Sequence, residues 1–487
     1  MTNGADNTGR GSFGRLGFIL AAAGSAVGLG NLWKFPYIAF DNQGGAFVLV
    51  YLVAVVLVGI PIMMAEVLMG RRTRRNPVGC FQKLAAGTPG GRAWTGVGIL
   101  GVLTGFIILS YYSVVAGWTI RYILLAVSGN LAELAHDPAR RGGFFGDFLG
   151  DGGQQVLYHG LFMAATTGVV VFGVKQGIER AAKILMPILM LILVGLTVYA
   201  LTTGGSAAAL HFLFRPNFTE LKSEGVLEAV GHSFFTLSLG MGAMLTYGSY
   251  MQKQASIAKA SVVISILDTV IALMACVIMY SILFTAYGTQ EQIQGNIGSS
   301  ATILFTTLPT VFYQMPGGGV ISAFFYLLVA FAALSSTVSL LEVVSSYAID
   351  QFGWKRRNAT LTVAAVIFVF GVLSALSLGG QADLSTFDPI GKTVELPGGD
   401  VKNATEGVFS TLDYLASNWC LPVGGLLIAL FVGWFMNSRD TRDELDPEGR
   451  EGDTNGWYDF WLFTIRFVAP AAVAAIIVSV VLGRAYN

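Results

Sequence analysis

Long apolar runs, separated by short polar stretches, occupy most of the chain. Eleven of these runs approach or exceed the length of about 20 residues that a helix needs to cross a bilayer. They lie at about residues 15–40, 45–70, 93–127, 157–173, 177–201, 227–250, 261–288, 320–350, 359–379, 408–436 and 458–483. The pattern predicts an all-α membrane protein with eleven spanning helices.

One connecting segment has a different pattern from the rest. Residues 289–319 contain no Lys or Arg, and residues 303–312 are apolar around Pro309. We interpret this segment as a helical hairpin that dips toward a vestibule; a short twelfth span is the alternative. The other connecting segments are modest in length, so the sequence predicts no appended soluble domain.

The positions of Lys and Arg predict the orientation of the chain. With the N-terminus inside, 20 of the 29 Lys and Arg residues fall in the inner segments. Cytoplasmic loops carry such an excess. We therefore expect a plasma (inner) membrane protein with a cytoplasmic N-terminus, and the odd number of spans then places the C-terminus outside.

The overall composition agrees with a membrane protein and excludes other classes. The mean hydropathy is +0.65, and only 12% of the residues are charged, about half the share in soluble domains. The formal net charge is zero, which argues against a nucleic-acid partner.

The first apolar run is poorly suited to a continuous helix. Residues 24–31 read Gly-Ser-Ala-Val-Gly-Leu-Gly-Asn, and a proline follows at Pro36. A glycine inside a helix costs about 1 kcal/mol relative to alanine. Irregular backbone at membrane depth is tolerated only where it is buried in protein or lines a cavity. The alternatives are a broken helix that forms a binding site, or close helix–helix contact through the small residues Gly24 and Gly28.

A second interrupted run lies in the other half of the chain. Residues 236–242 read Thr-Leu-Ser-Leu-Gly-Met-Gly, in the middle of the run at 227–250. Two broken spans in corresponding positions of two halves indicate a transporter with a binding site where its inverted repeats meet.

Two further features suggest cation binding inside the membrane. Asp268 lies in the seventh run, and an acid within a span is by default a hypothesis of function. The eighth run contains Ser335-Ser-Thr-Val-Ser339, whose hydroxyl oxygens suit a hard cation but can instead bond to their own helix. No catalytic motif is present, and Gly28-Leu-Gly30 follows no predicted strand as a dinucleotide site would require. We therefore expect that the protein is not an enzyme.

Taken together, these motifs resemble the neurotransmitter:sodium symporter family, in particular its bacterial amino-acid transporters with eleven spans. The matching stretches are residues 24–36, the Gly-Ile-Pro-x-x-x-x-Glu pattern at 59–66, Tyr111-Tyr112 with Trp118, Gly177-Ile-Glu-Arg180, residues 234–242, Leu267-Asp268-Thr269 and Leu334-Ser335-Ser336. The resemblance implies a 5+5 inverted-repeat fold in which helices 1 and 6 are broken and an eleventh helix is added.

The implied organisation has five parts. They are a cytoplasmic N-terminal segment at 1–14, a first five-helix repeat at 15–203, a second repeat at 204–436 with the outer hairpin near 299–318, a cytoplasmic linker at 437–456 and the eleventh helix at 457–487.

The resemblance also implies two sodium sites. The first would consist of Ala26, Asn31, Thr236 and Asp268, with the substrate carboxylate as a further ligand. The second would consist of Gly24, Val27, Ala332, Ser335 and Ser336. No chloride is expected, because Asp268 itself supplies a negative charge and Ala272, one turn later, lacks the hydroxyl found in chloride-dependent relatives.

An amino-acid site between the broken helices is implied in the same way. Its residues would be Ala26, Leu29, Gly30, Ile108, Tyr112, Val115, Phe235, Thr236, Ser238, Met241, Ser336 and Leu340. The substrate carboxylate would meet the Leu29 and Gly30 amides and the Tyr112 hydroxyl, at a half-helix N-terminus that favours anions. The side-chain pocket is mainly apolar, so we expect a hydrophobic or aromatic L-amino acid.

Two ion pairs would gate the site. Lys34, where the family usually has Arg, would pair with Asp413 on the outer side, above Tyr112 and Phe235. Arg10 would pair with Asp350 on the inner side, near Phe13 and Tyr250.

The sequence thus predicts a sodium-coupled symporter in the lipid bilayer that imports an L-amino acid by alternating access, as a monomer or weak homodimer. A non-transporting amino-acid sensor on the same scaffold is the alternative, and a channel fits less well because the site lies between two gates.

Overall fold

The structure, a computed structural model, describes residues 11–132, 138–219, 221–297, 300–313, 315–395, 401–445 and 456–483. Nearly all of the secondary structure is helical, which confirms the all-α membrane fold. Within the described part of the chain, eight helices are long and apolar enough to cross a membrane. They are Gly45–Thr73, Gly91–Ser128, Val174–Leu201, Ile257–Tyr287, Gly318–Phe352, Arg356–Leu376, Val408–Phe435 and Gly456–Val481.

A ninth candidate span is a bent pair of helices, Arg15–Ala26 and Gly30–Asp41, whose axes differ by 48°. The remaining two predicted spans are occupied by the helix Gly152–Val170 and by a second interrupted pair, Ser223–Thr236 and Ala243–Gly248. We call the two interrupted pairs the first and second broken spans. The structure therefore has the broken helices 1 and 6 of the inverted-repeat fold, followed by the additional last helix.

The first broken span loses its helical geometry where the glycines cluster. Its first helix ends at Ala26, and Val27 takes an extended conformation with φ −73° and ψ 104°. Gly28 is needed at the break for space, because a Cβ there would lie 2.5 Å from the Ser336 hydroxyl. The span resumes as a π-helix at Gly30–Lys34 and continues as an α-helix at Phe35–Asp41.

The second broken span is interrupted by left-handed backbone. Ser238, Gly240 and Gly242 all have positive φ, at 54°, 77° and 76°. A Cβ on Gly240 would lie 2.5 Å from the Leu421 carbonyl oxygen, so glycine is required both for its conformation and for its close contact. The freed Gly240 amide donates to the buried Glu66 carboxylate at 2.7 Å, which supplies the partner that lipid lacks.

The segment between the seventh and eighth long runs is helical but short. It contains Gln290–Asn296, Ser300–Thr302 and an apolar helix over Ile303–Tyr313. The last of these has five π-helical and six α-helical residues, about half the length that a span needs. The short helix therefore favours the hairpin interpretation over a twelfth span.

The connecting segments contain more structure than their composition suggests. Short helices form at Pro77–Leu84, Pro138–Gly150, Ser206–Phe214, Ala382–Ser385 and Ser438–Leu445. Two three-residue strands, Thr393–Glu395 and Val401–Asn403, pair antiparallel. Beside them, hydrogen bonds, first of all from Thr405, lower the pKa of Asp388 to about 2.

The short helix Ser438–Leu445 is fastened to the second long span by arginines. Arg71 is almost completely buried and its Nε donates to Glu444 at 2.8 Å. Its guanidinium also donates to the Ala255 carbonyl at 2.6 Å, just beyond the second broken span. Arg72 pairs with Asp440 at 2.6 Å. A segment that the sequence suggests is only a charged linker is thus a docked element.

Candidate functional site

The carboxylate of Asp268 lies at the centre of a hydrogen-bonded group beside the first break. Asn31 Nδ2 donates to Asp268 Oδ1 at 2.8 Å, and the Thr236 hydroxyl lies 3.0 Å from both carboxylate oxygens. The Tyr51 hydroxyl donates to Oδ2 at 3.3 Å. All four side chains are buried. Carboxylate, amide and hydroxyl oxygens in one place are the hard ligands that small cations prefer.

The residues predicted for the second sodium site also lie together. The Ser335 hydroxyl donates to the Ala332 carbonyl at 2.9 Å and to the Val27 carbonyl at 3.4 Å. The Ser336 hydroxyl donates to Val27 at 3.3 Å. A Cβ on Gly24 would lie 3.1 Å from the Ser335 Cβ, so the first broken span is in direct contact with these serines. The hydroxyls therefore bond both to their own helix and to a carbonyl freed by the break.

A cavity of about 30 Å³ lies between the two broken spans. Its walls come from both breaks and from two long helices that pass beside them. The lining residues are Ser25, Ala26, Gly28, Gly30, Ile108, Tyr112, Phe235, Thr236, Ser238, Met241, Ser336, Ser339 and Leu340. Ala26 and Thr236, two of the residues predicted for the first sodium, line this cavity, so the proposed ion site adjoins it.

Ten of the twelve predicted substrate residues line the cavity, and two do not. Leu29 contributes its backbone instead, because its amide donates to the Tyr112 hydroxyl at 2.8 Å. Val115 is buried but lies outside the lining. The Gly28 amide donates to the Asn31 side chain at 3.1 Å, so amides exposed by the break face oxygen acceptors.

Three lining residues were missed by the sequence interpretation: Ser25, Gly28 and Ser339. The two serines form a hydroxyl cluster with Ser238. The Ser25 hydroxyl lies 2.7 Å from that of Ser339 and 3.3 Å from that of Ser238, which also donates to the Ser25 carbonyl at 2.9 Å. The sequence did contain an indication of these three residues, because Ser25 and Gly28 belong to the glycine-rich stretch and Ser339 ends the serine-rich one. The cavity is accordingly more polar than predicted.

Lys34 lies over an aromatic ring at the predicted outer end of the cavity. Its Nζ is 5.2 Å from the centroid of the Phe235 ring, within the range of a cation–π contact. Asp413 accepts a hydrogen bond from the Ser417 hydroxyl at 3.2 Å. No direct Lys34–Asp413 ion pair is found between these two described residues.

At the predicted inner end of the cavity, the structure describes only Asp350 of the predicted Arg10–Asp350 pair, because Arg10 lies outside the described residues. Asp350 Oδ2 accepts hydrogen bonds from the backbone and side chain of Asn76, both at 2.9 Å. The Phe13 amide donates to the Tyr250 carbonyl at 3.0 Å, and the two rings meet edge to face.

Tyr250 joins this end to an ion pair that the sequence interpretation missed. Its hydroxyl donates to the fully buried Glu342 at 2.5 Å, and Arg356 binds both Glu342 oxygens, at 2.7 and 2.9 Å. Only the intramembrane position of Glu342 in the sequence could have indicated this pair.

Two broken spans that face each other across a central cavity, with oxygen ligands at each break, define a secondary transporter with an inverted-repeat fold. Comparison with known proteins identifies the family. The sequence profile of the Sodium:neurotransmitter symporter family matches residues 10–136 and 149–397, and the chain belongs to this family.

Individual relatives agree over nearly the whole chain. An uncharacterized sodium-dependent transporter, YhdH of Bacillus subtilis, is 34% identical over 469 residues, which cover 96% of each chain. An uncharacterized sodium-dependent transporter of Haemophilus influenzae is 29% identical, again over 96% of each chain. The crystal structure of MhsT in complex with L-phenylalanine is 41% identical, with a TM-score of 0.83, and the match covers 97% of this chain and all of that one.

Proposed function

We propose that this protein imports an L-amino acid with a hydrophobic or aromatic side chain, driven by two sodium ions and without chloride. Membership of a sodium symporter family supports the class of transport. The L-phenylalanine in the MhsT structure supports the proposed class of substrate. This assignment to a transporter family also favours a transporter over an enzyme.

The observation that carries the proposal is the position of Asp268. Its carboxylate holds Asn31 and Thr236 by hydrogen bonds, and Thr236 also lines the central cavity. A sodium ion bound by these three side chains would lie next to the substrate. Sodium and substrate would then share contacts, and each would raise the affinity for the other.

The cavity walls support the choice of substrate. Ile108, Met241 and Leu340 provide apolar surface, and methionine adapts its shape to different partners. The serine cluster adds hydroxyl groups that are already hydrogen-bonded to one another. A charged substrate side chain would find no opposite charge among the cavity-lining residues, so an apolar or aromatic side chain fits best.

The proposed arrangement of the chain in the membrane is the one that the sequence predicts. It has eleven spans, a cytoplasmic N-terminus, an outer C-terminus, repeats at 15–203 and 204–436, and a monomeric or weakly dimeric state. The outer gate would consist of Lys34 and Asp413, and the inner gate of Arg10 and Asp350. Among the described residues, eight helices and one bent pair that are long and apolar enough to cross a membrane support a multi-pass arrangement.

The energy available from sodium is sufficient for import. A tenfold sodium gradient provides about 1.4 kcal/mol per ion, and one charge that crosses 100 mV provides about 2.3 kcal/mol. Two ions therefore supply roughly 7 kcal/mol, enough for a substrate gradient of about 10⁵-fold.

The proposal is tested by binding and uptake. Thermal shift of the purified protein is measured with each amino acid, in sodium and in potassium. We expect stabilisation by bulky apolar amino acids in sodium only, and sodium-driven uptake of the same amino acids into proteoliposomes. Equal binding in potassium would contradict sodium coupling, and sodium-dependent binding without uptake would indicate the sensor alternative.

A further inference from the structure

A second chamber of similar size lies beyond Phe235, on the predicted outer side of the central cavity. Its volume is about 30 Å³, and four spans contribute to its walls. The lining residues are Lys34, Ile38, Glu228, Gly231, His232, Phe235, Ser417 and Ile476. Four of these side chains carry polar atoms: an ammonium group, a carboxylate, an imidazole and a hydroxyl. Phe235 lines both spaces and separates them.

The imidazole of His232 has no protein partner in this chamber. The side chain is only 4% exposed, and neither ring nitrogen forms a hydrogen bond with the protein. Its aromatic neighbours are the rings of Phe35, Tyr51 and Phe235, with centroids at 5.3, 5.9 and 6.4 Å. Buried polar groups are almost always hydrogen-bonded, to protein or to ordered water. Because His232 lines the chamber, ordered water there can supply a partner for its imidazole.

Glu228 links the two broken spans next to this imidazole. It lies one turn before His232 on the second broken span and accepts a hydrogen bond from Asn42 Nδ2, just beyond the first broken span, at 2.7 Å. Burial is the strongest influence against the charged form of Glu228, and Asp41 also opposes it, whereas the Asn42 hydrogen bond and Lys34 on the first broken span favour it. No direct Lys34–Glu228 ion pair is found between these described residues, so the attraction acts across the chamber.

We propose that ordered water in this chamber connects Lys34, Glu228 and His232, and that Glu228 is a positioning residue of the outer gate. A chamber of this size exceeds the 10–15 Å³ or so that one water molecule requires, and a bound water needs two to four polar partners. The water-mediated contact holds the two half-helices together above Phe235, which covers the substrate cavity. In this arrangement Lys34 interacts with two acidic residues, Glu228 and Asp413. Ser417 connects the chamber to Asp413, because it lines the chamber and its hydroxyl donates to the Asp413 carboxylate.

We expect the water-mediated contact to determine how long substrate stays bound, and this expectation rests on the proposed transport function. Loss of the Glu228 charge should leave the oxygen ligands of the sodium sites unchanged, because Glu228 bonds to Asn42 and not to any of their side chains among the described residues. It should instead loosen the contact between the half-helices. Substrate should therefore dissociate faster toward the outside, while sodium affinity stays the same.

A double-mutant cycle on the full-length protein tests this coupling. The dissociation rate of a bound amino acid is measured in saturating sodium for wild type, Lys34→Gln, Glu228→Gln and the double variant. We expect each single variant to release substrate about fivefold faster, as about 1 kcal/mol would produce, and the double variant to be no faster than either. The matched control is Glu224→Gln, which removes the same charge one turn earlier on the same helix and outside the chamber; its effect should add to that of Lys34→Gln.

Two further variants separate a positioning role from a structural one. Glu228→Asp keeps the charge and should restore slow release in part; Glu228→Ala replaces Glu228→Gln in the cycle if the latter does not fold. His232→Gln keeps polar atoms in the chamber and should preserve the coupling, whereas His232→Leu should reduce it. Multiplicative effects of Lys34→Gln and Glu228→Gln on the rate would overturn the proposal. Absence of sodium-dependent binding in the wild type would instead contradict the proposed function itself.

Discussion

The side-chain amide of Asn31 donates to the carboxylate of Asp268 at 2.8 Å, although 237 residues separate them in the chain. Asn31 lies in the π-helical turn that follows the first break, and Asp268 lies in the middle of the continuous helix Ile257–Tyr287. The contact therefore joins an irregular element, which can change shape, to a rigid one. A cation bound here would respond directly to the geometry of the break.

Removal of the charge at Asp268 should weaken sodium and substrate binding together. Asp268→Asn keeps the size of the side chain but removes the negative charge that would face the ion. We expect sodium affinity to fall by at least about tenfold, equivalent to about 1.4 kcal/mol, and substrate affinity at fixed sodium to fall with it. Sodium titrations followed by tryptophan fluorescence measure both. Asn31→Ala should act in the same direction, and an unchanged sodium affinity in Asp268→Asn would exclude the carboxylate as a ligand.

The shape of the central cavity should select bulky apolar amino acids. We expect Leu, Phe, Tyr or Trp to bind more tightly than Gly or the charged amino acids. Met241→Ala should cost bulky substrates about 1–2 kcal/mol, since each buried methylene contributes about 0.8 kcal/mol. Competition against a radiolabelled amino acid measures the order. Met244→Ala is the matched control, because Met244 is equally buried but does not line the cavity; selectivity for glycine would show that the pocket wall has been misinterpreted.

Asp413 should affect transport more than equilibrium binding. A solvent-accessible ion pair contributes only about 0–1 kcal/mol, so it shifts the balance between open and closed states without creating the site. Asp413→Ala should slow uptake into proteoliposomes and leave sodium affinity nearly unchanged. Uptake at the wild-type rate, or loss of folding in this variant, would contradict a gating role.

Transport should not require chloride. Two sodium ions bring positive charge into a buried site, and uncompensated charge there costs several kcal/mol. Asp268 supplies a negative charge at the first ion, and the completely buried Ala272 on the same helix offers no hydroxyl to an anion. Uptake with gluconate in place of chloride should equal uptake in chloride. A large loss of uptake in gluconate would show that an external anion is needed.

The ion pair between Arg356 and Glu342 should be important for stability. Glu342 is fully buried and bound by Arg356 through two hydrogen bonds. Removal of one partner of a buried pair costs about 3–5 kcal/mol because the other charge stays uncompensated. Arg356→Gln should therefore lower the Tm in detergent substantially, and Arg356→Lys should lower it less, because lysine cannot bind both oxygens. Arg357→Gln, at an exposed neighbouring position, should have little effect.

The sequence by itself determined the features that depend on local chemistry. Continuous apolar runs must become helices in a bilayer, because no water is available to pair with free backbone groups. Glycine clusters at residues 24–30 and 240–242 predict the two breaks, and both are present. The resemblance, which rests on contiguous motifs, correctly identified the family.

Only the tertiary structure decided which distant groups meet. The serine cluster joins positions 25, 238 and 339, and no local pattern could show that their hydroxyls would face one another. Arg71 belongs to a charged stretch that resembles a solvated surface, yet it is buried because the Glu444 side chain and the backbone carbonyls of residues 253, 255 and 444 supply its partners. The chamber around His232 arises because four spans meet there. These features depend on contacts between segments far apart in the chain, and such contacts exist only after the helices have packed.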